Sequence, residues 1–357
     1  MEYGSHALME EFVRLGVPDG SGCDGACQSW RLDTEANANF QLCSTYSSLL
    51  AVPSSVTAAQ LASVAAFRSR GRLPALCWRG TPSSGAPEGT LVRCAQPRRA
   101  LQLRNSAMDE QYIRLMLQAS GASELVLLDA RSPIAAQGNR LRGGGVESAG
   151  RYGVARIQYC SLRNVHYVKA VAVALHARVR RGERRWLELQ AALLSASSTL
   201  ADHLEAGRCV LLHCSDGWDR TPQMSTLAQL MVDPHYRTIE GLVTVLHKEW
   251  AAFGHRFALR YSLSQPIFIQ LLDALSQMVS APPRASARNI LTHTERQTCT
   301  SAAMSHVELC RHGPSVRLCR LSDPPPPTHR DYAIAVAPAA RGVRVQRPHA
   351  LRHSRPA

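Results

Sequence analysis

Two short unbroken apolar runs stand out along the chain, Leu125-Val-Leu-Leu128 and Val210-Leu-Leu212, and both predict buried strands. After the second run comes a polar stretch. Then Met224, Leu227, Ala228 and Met231 recur at i, i+3, i+4 and i+7, which predicts a helix with one apolar face. Pro222 falls in the first turn of that helix, where a missing N–H costs little, and Asp233-Pro234 supplies its stop. Ile239, Leu242, Val243, Leu246 and Trp250 give a second helix its apolar stripe. A further strand is expected from Leu73 to Trp78, entered through a basic turn that holds Arg68, Arg70 and Arg72.

Composition divides the chain. Hydrophobic residues make up 45% of the 357, enough for one large domain with a sizeable core, expected over 1–280. Residues 281–357 hold 12 arginines against four acidic residues, more than half of the formal net charge of +14. That segment also contains Pro324-Pro-Pro-Pro327 and no sustained period, so it reads as a divergent, disordered Arg/Pro-rich tail. Its basic residues lack the aromatic interleaving of a nucleic-acid module, which argues against nucleic acid as a partner. The 11 cysteines are scattered and follow no signal peptide, which points to a reducing, cytoplasmic setting. No apolar run approaches the roughly 18 residues of a membrane span, so contact with a membrane is expected to be peripheral.

The chemistry sits where the second strand meets its helix, in Val210-Leu-Leu-His-Cys-Ser-Asp-Gly-Trp-Asp-Arg-Thr221. A loop entering a helix N-terminus collects unpaired backbone N–H groups, and these form a cradle for an anion such as phosphate. Cys214 at its rim is the expected nucleophile, used as thiolate. Arg220 can grip two phosphate oxygens with its planar fork and stabilise charge on them as the phosphoryl group moves. Asp219 is placed to protonate the leaving alkoxide and later to activate water, with Asp216 as a second candidate. Ser215, Asp216, Gly217 and Trp218 complete the loop around the substrate. No metal or cofactor is expected, because Arg220 and the loop amides supply the positive field.

His213 to Thr221 reads His-Cys-Ser-Asp-Gly-Trp-Asp-Arg-Thr, and this resembles the signature of the myotubularin-related phosphoinositide phosphatases. The resemblance implies an α/β cysteine-phosphatase domain, a central mixed sheet flanked by helices, with the site at the carboxyl end of the 210–213 strand. It assigns nucleophile, phosphate ligand and acid to Cys214, Arg220 and Asp219. Further matches are Asp129-Ala-Arg-Ser-Pro133, Asn139-Arg-Leu-Arg-Gly-Gly-Gly145 and Asn164-Val-His166, which imply that Asn139 and Asn164 lie near substrate. Arg256 and Arg260, four apart and so on one face of a helix, match arginines that hold a second ring phosphate.

Two departures from the family pattern stand out. Gly20 to Gln28, with Cys23 and Cys27, looks like an insertion and lacks the partner pair a metal site would need. Only Tyr261-Ser-Leu-Ser-Gln265 joins Arg260 to Pro266, where the family has roughly a dozen polar residues. The function implied is hydrolysis of the 3-phosphate of phosphatidylinositol 3-phosphate and the 3,5-bisphosphate through a phosphocysteine, at endosomal membranes. Alternatives are a catalytically impaired lipid-binding adaptor and, less favoured, a tyrosine phosphatase. Implied partners are phosphoinositide lipids and a related family member in a homo- or hetero-oligomer.

Overall fold

A computed structural model of the chain describes residues 2–18, 29–81, 88–99, 105–153 and 155–280. The expected insertion with Cys23 and Cys27 and the expected tail, 281–357, lie outside the described residues. From the N-terminus, α1 (Glu2–Arg14) precedes an antiparallel ribbon of β1 (Trp30–Asp33) and β2 (Leu50–Pro53). Then follow α2 (Ala58–Phe67), β3 (Ala75–Arg79), β4 (Thr90–Cys94), α3 (Ala107–Ser120) and β5 (Leu125–Asp129). After these come α4 (Pro133–Gly138), β6 (Ala155–Tyr159), α5 (Val165–His176), α6 (Arg180–Glu205) and β7 (Cys209–His213). The rest is helical: α7 (Arg220–Val232), α8 (Ile239–Leu246), α9 (Phe257–Ser262) and α10 (Ile267–Ser280).

Five strands form a mixed sheet in the order β3-β4-β7-β5-β6, with only the β3–β4 pair antiparallel. The two apolar runs predicted as strands are β5 and β7, neighbours at its middle, and every residue in both is buried. Strands covered on both faces read as continuous apolar runs, which is why they were visible. In register, Cys94, His213 and Asp129 end β4, β7 and β5 side by side. The segments leaving the carboxyl edge of the sheet therefore converge on one place, where ligands bind in open α/β sheets.

Helix starts follow their caps. Thr57 and Gln60 close a capping box at α2, and Ser106 and Asn164 cap α3 and α5. The strand expected from Leu73 begins at Ala75 and carries an irregularity between Leu76 and Trp78. The apolar stripe expected from 239 to 250 is rearranged. Val243 is exposed and Leu246 half-buried, whereas Val245, Lys248, Glu249 and Trp250 are buried. From His247 to Ala252 the helix widens to the i→i+5 pattern, and buried ion pairs occupy its inner face.

One of those pairs fastens the N-terminus to the rest. Lys248 Nζ lies 2.9 Å from Glu11 Oε1. Glu11 also accepts from the Tyr236 hydroxyl and pairs with Arg14 at 2.9 Å. Burial pushes the Glu11 carboxyl up, but Lys248 and Arg14 outweigh it and hold the pKa at about 2. A folded-state pKa below the unfolded one stabilises the fold above the unfolded value, and that stability is lost as pH falls towards 2. Urea unfolding is therefore expected to lose about 3 kcal/mol from this group between roughly pH 5 and 2. Glu11→Gln, measured the same way, is expected to flatten that acid slope, and an unchanged slope would disprove the assignment.

Candidate active site

β7 delivers Cys214 to the carboxyl edge of the sheet, and α7 begins six residues later at Arg220. Between them the chain must turn sharply, and Gly217 makes this possible. Its φ is +71°, and a Cβ there would stand 2.6 Å from the carbonyl oxygen of Cys94. Any other residue would force the loop off β4.

Buried arginines hold the outside of the loop. The carbonyl of Gly217 accepts from Arg72 Nη2 at 3.1 Å and from Arg93 Nη2 at 2.7 Å. Arg93 is anchored in turn by Glu249 at 2.6 Å, and Arg72 by Thr45 Oγ1 and the Phe253 carbonyl, each at 2.8 Å. The Gln96 amide donates to the Ser215 carbonyl at 3.0 Å. Ser69 Oγ donates to Asp216 Oδ1 at 2.7 Å, and His255 Nδ1 donates to the Trp218 carbonyl, also at 2.7 Å. Burial pushes the pKa of His255 down, which keeps the ring a neutral donor.

The Ser215, Gly217 and Trp218 carbonyls and the Asp216 side chain are thus all engaged by groups outside the loop. No hydrogen bond among the described residues uses the N–H of Ser215, Asp216, Gly217, Trp218 or Asp219 as its donor. Consecutive uncommitted amides at a helix start are a feature that anion-binding loops share. Cys214, which directly precedes these amides, is buried. Arg220 is half-buried, with Nη1 donating to the Leu162 carbonyl at 3.1 Å.

Asp219 has a partner that the sequence did not reveal. Arg260 grips both of its carboxylate oxygens, Nε and Nη2 each at 2.7 Å. Gln265, within the short connection to α10, accepts from Arg260 Nη1 at 2.9 Å and steadies it. Arg256 does not share a helical face with Arg260, because α9 starts only at Phe257 and Arg256 sits before it with ψ of 61°. Arg256 instead lies over the Trp218 ring, 5.1 Å from its centroid.

Of the two asparagines, Asn139 reaches the loop, donating to Ser215 Oγ at 2.8 Å. Gly145, shortly after it, packs so tightly that a Cβ would meet the Pro97 carbonyl at 2.9 Å. Asn164 caps α5, accepting from the Tyr167 amide at 3.0 Å, and no described contact joins it to the loop. Asp216, the second acid candidate, is occupied by Ser69.

The basic turn is the main correction. Along the sequence Arg68, Arg70 and Arg72 read as three equivalent residues of one basic turn, yet only Arg70 is exposed. Arg68 is fully buried between Asp109, at 2.7 Å, and Glu147. Arg72 and Arg93 were missed as supports of the loop. A signal existed for Arg93, since an arginine inside the apolar strand Thr90–Cys94 must find a buried acid or carbonyl.

Comparison with known proteins agrees with this geometry. The myotubularin-like phosphatase domain family matches residues 2–287. The chain is 35% identical over 299 residues to the phosphatidylinositol-3,5-bisphosphate 3-phosphatase MTMR2 of Bos taurus, covering 78% of this chain and 44% of that protein. It is 33% identical over 333 residues to the myotubularin of Xenopus tropicalis, covering 87% and 52%. The chain thus spans about half the length of the curated relatives it matches. A mixed sheet flanked by helices, a cysteine and an arginine at the two ends of its signature loop, and a match across most of its length place the chain in the myotubularin-like phosphatase family.

Proposed function

We propose that the protein is a phosphoinositide 3-phosphatase acting on phosphatidylinositol 3-phosphate and the 3,5-bisphosphate at endosomal membranes. The observation that carries this reading is the set of uncommitted amides from Ser215 to Asp219 between Cys214 and Arg220. The relatives named as 3,5-bisphosphate 3-phosphatases support the choice of substrate.

In this reading the amides and Arg220 hold the 3-phosphate with its phosphorus in line with Cys214 Sγ. A sulfur–phosphorus bond forms as the bond to the inositol oxygen breaks, and Asp219 gives that oxygen a proton. Asp219 then takes a proton from water, which attacks the phosphocysteine, releases inorganic phosphate and restores the thiolate. Arg260 must loosen its hold on Asp219 for the first proton transfer. A second ring phosphate offers Arg260 an alternative anion, so the 3,5-bisphosphate helps to free the acid that its own hydrolysis needs.

The test is phosphate release by the purified chain from short-chain phosphatidylinositol 3-phosphate and 3,5-bisphosphate, with a phosphotyrosine peptide alongside. Both lipids are expected to be hydrolysed and the peptide much more slowly. Arg260→Gln is expected to lower the preference for bisphosphate over monophosphate about tenfold, the worth of one charge-assisted contact. A folded wild-type chain that releases no phosphate from either lipid would favour the adaptor reading. Equal rates on the peptide would favour a tyrosine phosphatase.

A further inference from the structure

Ile134 is 86% exposed and Leu141 75%, the two most exposed large apolar side chains among the described residues. Exposed apolar residues scattered singly are ordinary, but these two flank in sequence the asparagine that bonds to the signature loop. Ile134 lies in α4 and Leu141 in the turn that follows it, Asn139–Arg142. Between them Asn139 bonds to Ser215, which fixes the segment to the loop. At the other end of the loop in sequence Arg260 of α9 holds Asp219, and α9 with its next residue carries Leu259 and Leu263, 36% and 44% exposed. Both ends of the loop are thus bonded to segments that carry exposed apolar side chains.

The charge around it has one sign. Arg70, Arg98, Arg142, Arg163 and Arg256 are all exposed. Each either lies over Trp218 or sits close in sequence to a residue bonded to the loop or to Arg220. None of them has a carboxylate oxygen within 4.0 Å among the described residues. The acids of the loop are already engaged, Asp216 by Ser69 and Asp219 by Arg260.

We infer that these segments form a membrane-docking face, in which Ile134 and Leu141 enter the headgroup–acyl boundary of an anionic bilayer and the arginines hold its phosphates. Separate apolar tips among guanidinium groups fit a surface that can deform around each tip, with anionic lipid as counter-charge. A protein partner would call for a contiguous apolar centre depleted of charge. The inference rests on the phosphatase reading for its purpose, since docking here brings the loop to lipid, but not for its test.

The test uses the full chain and vesicles of phosphatidylcholine with about 30% phosphatidylserine and no phosphoinositide, so that docking is read without hydrolysis. Ile134→Ser with Leu141→Ser is expected to weaken co-sedimentation about tenfold. Turnover of the short-chain lipid should stay unchanged, since neither side chain enters the chemistry. Anionic vesicles are expected to slow hydrogen exchange over 133–142. Wild-type partitioning by the double variant with unaltered exchange over 133–142 would overturn the inference and move docking elsewhere, for example to the basic residues of 281–357. Vesicle binding through 133–142 without phosphate release would instead overturn the proposed activity and leave this inference standing.

Discussion

Cys214→Ser is expected to lower phosphate release from phosphatidylinositol 3-phosphate by about ten-thousand-fold or more, the usual cost of removing a covalent nucleophile. Serine keeps the size and the hydrogen-bonding capacity of the side chain, so the loop should hold its shape. The amides of 215 to 219 and Arg220 remain, and affinity for the lipid should change by no more than about threefold. Four of the other described cysteines are poorly suited to replace it. Burial pushes the Cys209 and Cys160 thiols up to about 12 and the Cys77 and Cys94 thiols upward as well, so each stays a neutral thiol. Acid quenching of the wild-type protein during the proposed turnover should trap phosphate on the chain, and the serine variant should trap none. If the variant keeps more than a few per cent of the activity, Cys214 is not the nucleophile and the mechanism must be rebuilt around water.

The parts of this site that were legible in the sequence depend on short-range order. β5 and β7 announce themselves because a strand covered on both faces leaves an unbroken apolar run. Cys214 and Arg220 lie within one loop, so their spacing alone fixes their relation. What stayed hidden depends on partners far away in the chain. Arg68 reads as one of three basic residues in a turn until α3 brings Asp109 to it and the segment before β6 brings Glu147, 41 and 79 residues away. Arg260 matched a ligand for a ring phosphate, and the fold shows it holding the proposed acid. Asn139 and Asn164 looked alike as polar loop residues. Only their surroundings separate the one that bonds to Ser215 from the one that caps α5.

Arg68 carries the largest expected effect on stability. Its Nε and Nη2 bind Asp109 at 2.8 and 2.7 Å, and its Nη1 binds Glu147 and, at 3.3 Å, the Ala95 carbonyl. All three side chains are essentially sealed from water. Burial pushes the Glu147 carboxyl up, and Arg68 with His213 more than reverses it, so the carboxylate depends on the guanidinium for its charge. Arg68→Met keeps the length and apolar stem but leaves Asp109 and Glu147 buried against each other. The expected cost is about 3–5 kcal/mol, the range for breaking a buried pair from one side. For a domain of this size that lowers the melting temperature by on the order of 10 °C. Adding Asp109→Asn and Glu147→Gln to the same chain should recover a good part of the loss, because the uncompensated charges are then gone. Arg68 also opens the turn that carries Ser69 to Asp216 and Arg72 to Gly217, so the cradle should loosen with it. The phosphatase rate per folded molecule is then expected to fall in Arg68→Met and to stay low in the triple variant, which restores charge balance but not the anchor. Full recovery of rate together with stability would show that Arg68 serves the core alone, and a melting temperature unchanged in Arg68→Met would remove the buried cluster from the account of the fold.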